Sequence, residues 1–269
     1  MFKFIIKIII FISIISNTQA KQVINFPIPE IFNYPPEING GYTSNWGITE
    51  GFDGKLYFAN NYGVLIYDGK TWNNIILENN DPARSITTDK EGNIIVGSRG
   101  NFGFISNNGN GEPIYISLNR YLDNKNYKNR DIIYETFSLA NGEIFFRSLN
   151  NLFFYKDKKI KVIKKDNKKK FGVSRLLNDK IYIAIIGEGI AVIDGYKILK
   201  IKNSDIFNNK TVTGFHKSKT NDLIVFTRKN GVYRQTEDGF SKIENKIIDE
   251  IGVIYRTFSL DNKKIGLAT

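Results

Sequence analysis

One short phrase recurs along this chain: a turn residue, a short apolar run, then a polar turn. It reads Gly54-Lys-Leu-Tyr-Phe58, Gly92-Asn-Ile-Ile-Val96, Gly142-Glu-Ile-Phe-Phe146, Asp179-Lys-Ile-Tyr-Ile183, Asp222-Leu-Ile-Val-Phe226 and Asn262-Lys-Lys-Ile-Gly-Leu267. The intervals are 38, 50, 37, 43 and 40 residues. A period of about 40–45 residues with several short strands per unit is the mark of a β-propeller, whose blades bury their faces against each other. The first unit holds the four strands a blade requires: Trp46–Ile48, Leu56–Ala59, Val64–Tyr67 and Trp72–Leu77. Asp53-Gly54, Asn60 to Gly63 and Asp68-Gly69 separate them, and Asp-Gly favours tight hairpins, whose turns need positive φ. The second unit repeats the plan at Ser85–Thr88, Ile94–Val96, Phe102–Ile105 and Ile114–Ser117. A polar stretch from Asn119 to Arg130, read as a short helix or a loop, lengthens its outer part. No segment sustains an apolar period of 3.6, so long helices are not expected. The expected fold is all-β: an incomplete propeller of four-stranded antiparallel blades, about five plus the start of a sixth. A β-sandwich is the rival, and the regular spacing weighs against it.

Residues 1–20 read MFKFIIKIIIFISIISNTQA. Lys3 and Lys7 give a positive start, Ile8 to Ile15 an apolar core, and Thr18 and Ala20 place small residues before a cut ahead of Lys21. This pattern predicts a secretory signal peptide, because the apolar core is shorter than the roughly 20 residues a spanning helix needs. An uncleaved membrane anchor is the alternative. Residues 21–269 are then a periplasmic propeller segment. Phe26–Tyr34, punctuated by Pro27 and Pro29, is a candidate strand for sealing the ring. The chain stops at Ile265-Gly-Leu-Ala-Thr269, within the expected second strand of the sixth unit.

The net charge of +11 suggests nucleic acid or acidic lipid as a partner, but its distribution argues otherwise. Nine Lys and two Asp crowd into Lys156–Lys170, and Lys3 and Lys7 belong to the leader. Ile160, Val162 and Ile163 interrupt the lysine run, and it lacks the aromatics that base stacking needs. It reads as a solvated hairpin and outer strand of the third unit. Nucleic acid is not expected as a partner, and a membrane only through parts outside this chain.

The chain has no cysteine, which excludes disulfides and thiolate chemistry. Its one histidine, His216, has no paired carboxylate spacing. No metal-ligand, P-loop or nucleophile-elbow pattern is present, so neither cofactor, metal nor catalysis is expected. Gly97-Ser-Arg-Gly-Asn-Phe-Gly103 has the spacing of a phosphate cradle. Such a cradle opens a helix, whereas a strand follows here, so a wide turn is expected. Trp46, Trp72 and most Phe and Tyr are assigned to packing between blades.

The arginines carry more information. Arg84, Arg175 and Arg256 precede the turn anchor of a unit by four to eight residues, which puts them near the start of an inner strand, close to the central channel. Arg99, Arg147 and Arg228 each follow a second strand, on the loop to the third. Alternate connections share one face of a propeller, so both sets, with Asn101 beside Arg99, are the candidate ligand-binding residues. Clustered guanidiniums favour an anionic ligand, such as a carboxylate or a sulfated sugar. The alternative is that each Arg pairs with a neighbouring Asp or Glu.

Several stretches carry a family resemblance: Asn45-Trp-Gly-Ile-Thr-Glu50, Tyr57-Phe-Ala-Asn-Asn-Tyr-Gly-Val-Leu-Ile-Tyr-Asp-Gly-Lys-Thr-Trp72 and Ala83-Arg-Ser-Ile86. Val96-Gly97, Asn101-Phe-Gly-Phe104 and Ser117-Leu118 fit the same pattern. The chain resembles the sensor propeller of two-component regulators, and more narrowly the bacterial proteins that join it to a three-tyrosine domain. The resemblance is dense over residues 29–120 and continues as bare blade phrases. It implies an exported ligand sensor whose three-tyrosine domain, membrane helix and output module, a histidine kinase or a helix-turn-helix domain, lie outside this chain. Two other functions stay open: a secreted propeller enzyme acting on glycans, which needs acids or bases pointing into the channel, and a protein-binding scaffold.

Overall fold

The repeated phrase makes a hairpin because its turn residues accept left-handed backbone. Gly54, Gly92 and Gly142 have φ of 74°, 86° and 81°, and Asn221, just before Asp222, has 67°. A computed structural model describes residues 30–122, 131–164, 170–261 and 264–269. Blade 1 consists of β1 (Asn45–Glu50), β2 (Leu56–Asn60), β3 (Gly63–Tyr67) and β4 (Trp72–Ile75). Blade 2 is β5 (Ala83–Thr88), β6 (Ile94–Ser98), β7 (Phe102–Asn107) and β8 (Pro113–Ser117). Blade 3 is β9 (Glu135–Ser138), β10 (Ile144–Arg147), β11 (Asn151–Lys156) and β12 (Lys159–Lys164). Blade 4 is β13 (Phe171–Leu177), β14 (Lys180–Ile185), β15 (Gly189–Asp194) and β16 (Lys197–Lys200). Blade 5 is β17 (Val212–Lys217), β18 (Leu223–Thr227), β19 (Val232–Thr236) and β20 (Gly239–Lys242). Blade 6 comprises β21 (Arg256–Asp261) and β22 (Lys264–Ala268).

Each sheet is an antiparallel meander in chain order. First strands of successive blades are neighbours in space, so they line the axis while the last strands form the rim. The described helices are short, the longest being Lys246–Ile251, and none is long and apolar enough to cross a membrane. The blades belong to one unit, Pro35–Thr269.

The core lies between blades, as the aromatic content predicts. Phe102 of blade 2 packs on Phe146 and Phe153 of blade 3, with ring centroids 4.4 and 5.0 Å apart. Phe145, Leu152 and Phe154 of blade 3 meet Phe171, Ile181 and Ile183 of blade 4. Each such side chain stabilises the fold by about 1.5–3 kcal/mol through burial.

Gly97 and Gly103, the ends of the cradle-like spacing, lie within β6 and β7. A Cβ on Gly97 would come 2.4 Å from Ser85 Oγ and from an Ile133 methyl, and one on Gly103 would come 2.1 Å from the Ile116 carbonyl oxygen. These glycines serve close strand approach. Gly103→Ala is expected to lose about 1–3 kcal/mol by overpacking; an unchanged urea midpoint would contradict this account.

The leader, residues 1–20, lies outside the described residues, as do residues 123–130 of the polar stretch. Its start forms a 3-10 turn, Asn119–Tyr121. Of the candidate sealing strand Phe26–Tyr34, residues 26–29 lie outside the described residues, and residues 30–34 form no strand. The prolines at 35 and 36 follow directly and have no N–H to donate to a ladder. The lysine run forms the β11–β12 hairpin, turning at Asp157 and Lys158 with φ of 50° and 59°; residues 165–169 lie outside the description.

Candidate ligand site at the channel mouth

In four blades the first strand carries extra residues near its start. The β1–β2 ladder passes from Asn45 to Gly47, skipping Trp46. Other ladders skip Arg84, Gly172 and Val173, and Thr213. An unpaired bulge residue is re-aimed out of the sheet. In blades 3 and 6, Tyr134 and Tyr255 stand just before the first strand, and their N–H groups donate to the carbonyls of Arg147 and Ala268 at 2.8 Å. The two tyrosines come from near-identical segments. Ile133-Tyr-Glu-Thr-Phe-Ser-Leu139 and Ile254-Tyr-Arg-Thr-Phe-Ser-Leu260 differ at one position. That internal repeat is the sequence signal for both tyrosines, which the arginine spacing alone does not reveal.

Arg84 stacks on Trp46, its guanidinium carbon 3.7 Å from the ring centroid. Its Nη1 donates to Asn61 Oδ1 at 3.4 Å, and Trp46 Nε1 donates to the same oxygen at 2.7 Å. Burial lowers the Arg84 pKa and the nearby charge of Arg99 lowers it further, against an opposing contribution from Tyr134. Arg99, exposed, follows β6 and is held by a backbone bridge to Ile132. Arg228, also exposed, follows β18; its N–H donates to Thr211 O at 2.8 Å and its carbonyl accepts from Ile254 N–H at 2.9 Å. Its guanidinium lies 5.0 Å over the Tyr255 ring. Arg256 opens β21. Tyr134, Glu135, Arg147, Arg228, Tyr255 and Arg256 line a single cavity of about 290 Å³.

Three expected site residues are placed differently. Arg147 is the last residue of β10, not part of the following loop, and pairs in register with Glu135. That one-position difference turns its side chain inward. It is 5% exposed, its Nε donates to Glu135 Oε2 at 2.7 Å, and its Nη1 donates to Phe171 O at 3.2 Å. Arg175 lies in the middle of β13. Its Nη2 donates to Thr257 O at 3.1 Å, and its Nη1 stands 3.6 Å from Glu135 Oε1. Burial lowers its pKa; Glu135 opposes this, and Arg256 and Arg147 reinforce it. Asn101 is buried within blade 2. Its Nδ2 donates to Glu78 at 2.8 Å, and its Oδ1 accepts from Ser117 Oγ at 2.8 Å and Tyr115 OH at 3.2 Å. Those partners occupy its carbonyl oxygen and one of its two amide hydrogens.

Glu135, which the motif reading missed, is the anchor of the floor. Its Oε2 also accepts from the Ser174 N–H at 2.7 Å and from the Ser174 hydroxyl. Glu135 is thus consumed by Arg147, Arg175 and Ser174. By contrast, no described carboxylate lies within 4 Å of the Arg84, Arg99, Arg228 or Arg256 guanidinium. The mouth is therefore cationic, and its open guanidiniums can hold anions through paired N–H donors. A cleft of about 500 Å³ at the other end of the strands, between blades 2 and 3, mixes Asp89, Glu91 and Asp157 with Lys90 and Lys156 and has no such single sign.

His216 lies toward the far end of β17 from the mouth, 5% exposed, beside a cleft of about 820 Å³ that it lines with Lys217 and Asn221. Its Nε2 is 2.9 Å from Thr257 Oγ1, and its ring meets Phe226 edge-on. Burial, with Arg175 adding, pushes its pKa down to about 4. Among the described residues no cluster of His, Asp and Glu could hold a metal.

No protein-family model and no curated protein matches the sequence. Solved structures do resemble the fold. Virginiamycin B lyase from Staphylococcus aureus, in a catalytically inactive variant with quinupristin, is 14% identical with a TM-score of 0.61, over 83% of this chain and 77% of that one. Another structure of this lyase is 17% identical with a TM-score of 0.57, over 80% and 74%. The extracellular domain of BT4673 from B. thetaiotaomicron, described as a one component system, is 13% identical with a TM-score of 0.52. That match spans 84% of this chain and 37% of that one. At these identities the likeness is one of fold: this chain is an all-β protein with propeller blades.

Proposed function

We propose that this chain is the ligand-sensing propeller of an extracytoplasmic signalling or transcription-regulating protein, and that it binds an anionic small molecule or saccharide at the channel mouth without transforming it. The observation that carries this reading is the set of four guanidiniums, Arg84, Arg99, Arg228 and Arg256, with no carboxylate partner described beside them. Like charges held together at a partly dry surface repel, and a bound anion offsets that repulsion. Each hydrogen bond to a charged group contributes about 1.5–3 kcal/mol. The sequence resemblance to sensor propellers and the secretory pattern of residues 1–20 support the sensing role and periplasmic export. The signal itself would be passed on by parts outside this chain.

Thermal-shift screening against citrate, sulfate and acidic sugars tests the site. Stabilisation by at least one of them is expected, with affinity reduced about tenfold or more in Arg228→Gln, Arg256→Gln. If every anion leaves the melting temperature unchanged, the site is not an anion receptor. A propeller enzyme is the second reading, drawn from the likeness to lyases. It needs a free acid or base at the mouth, where Glu135 is engaged by Arg147 and Ser174; turnover of a glycan panel would favour it.

A further inference from the structure

We infer that the mouth contains two anion subsites, and that its ligand is a small molecule carrying two anionic groups. This inference rests on the mouth being an anion site. The first subsite pairs Arg84 with Arg99, which directly follow the paired residues Ala83 and Ser98; the second joins Arg228 and Arg256 to Tyr255, in the cavity that Tyr134 also lines. Arg99 and Arg228 each occupy the position directly after the second strand of a blade. Each is fastened to the segment leading into the next blade: Arg99 by its bridge to Ile132, and Arg228 by the Ile254 N–H at 2.9 Å. Each of those segments then delivers a tyrosine from the same seven-residue sequence, three blades apart. Arg84 adds the second cation from the first strand of Arg99's own blade, and Arg256 adds it from the first strand of the blade after Arg228's, at the repeat position that Glu135 fills in blade 3.

No described carboxylate comes within 4 Å of either guanidinium pair. Glu135 is bound by Arg147 and Ser174. Asp131 accepts from Ser148 Oγ at 3.0 Å and from the Asn150 and Asn151 amides at 2.8 and 3.2 Å. A monoanion therefore satisfies one pair and leaves the other uncompensated. A ligand with two anionic groups engages both, and the second contact is intramolecular once the first is made.

Calorimetry on the whole chain with aliphatic acids separates the possibilities. Succinate, adipate and suberate are compared with butyrate, hexanoate and octanoate. The expected result is one dicarboxylate per chain, bound at least about tenfold more tightly than its monocarboxylate counterpart, and two monocarboxylates per chain. In Arg84→Gln, Arg99→Gln, the dicarboxylate should fall to within about twofold of the monocarboxylate, and the monocarboxylate stoichiometry to one. Arg99→Gln alone, at an exposed side chain, should move both readouts the same way and covers the case in which the double variant does not fold. Equal affinities for both acid classes, or an unaltered dicarboxylate affinity in these variants, would overturn the two-subsite inference while leaving a single anion site standing. If neither acid class binds the parent chain, the anion-site reading falls and the inference with it.

Discussion

Replacing Glu135 by glutamine should destabilise the propeller by about 3–5 kcal/mol, the cost of leaving a buried ion pair half-broken. Arg147 is enclosed to the same degree as Glu135, with side-chain exposures of 6% and 7%. Once the carboxylate is gone, Arg147 faces only neutral acceptors, the glutamine carbonyl and the Phe171 carbonyl. Arg175 loses its counter-charge in the same step. Glutamine keeps an acceptor for the Ser174 N–H, so the measured loss reports charge and not an orphaned backbone donor. Pairing Glu135→Gln with Arg147→Met should cost less than the two single changes together, because neither charge is then stranded. Additive urea-unfolding energies would show that the pair is not coupled.

Acid should weaken the fold through His216. Its folded pKa of about 4 lies below the ordinary 6.5, so between those values the unfolded chain takes up a proton that the folded chain refuses. Stability therefore falls as pH drops from about 6.5 towards 4 and is independent of this group above that window. The full loss is about 3 kcal/mol, with about 2 kcal/mol gone by pH 5. Protonation would place a second cation beside Arg175 within the contact between blades 5 and 6. Carboxylates also titrate at the lower end, so the informative quantity is the difference between the parent and His216→Gln. The variant should lose less stability from pH 7 to pH 5. Parallel pH profiles for the two proteins would remove His216 as the cause.

The blade plan was readable because each anchor satisfies a local need. Gly54, Gly92 and Gly142 carry the left-handed φ their hairpins demand, and the apolar runs after them are the buried second strands. The mouth was only partly readable. Spacing put Arg99 and Arg228 directly after a second strand and Arg84 and Arg256 at the start of a first strand, where they stand; Arg84 is skipped by its ladder, whereas Arg256 pairs with Ala268. It misplaced Arg147, because in a strand a shift of one residue reverses the face presented, and Arg147 is the strand's last member. Asn101 was misjudged because its partners Glu78, Ser117 and Tyr115 are scattered along the chain. Glu135 escaped notice because nothing local marks it: its importance comes from Arg147, Arg175 and Ser174, which only the packing of blades 3 and 4 brings together.

The extra residue in the inner strands has an evolutionary consequence. It belongs to no ladder pair, so its identity is not constrained by cross-strand pairing: Trp46, Arg84 and Thr213 occupy the same place in blades 1, 2 and 5. Substitutions there can retune what the mouth recognises while the interblade aromatic packing is inherited unchanged. Selection on recognition and selection on foldability can then act on separate sets of positions, which lets such a scaffold diversify its ligands without passing through unstable intermediates.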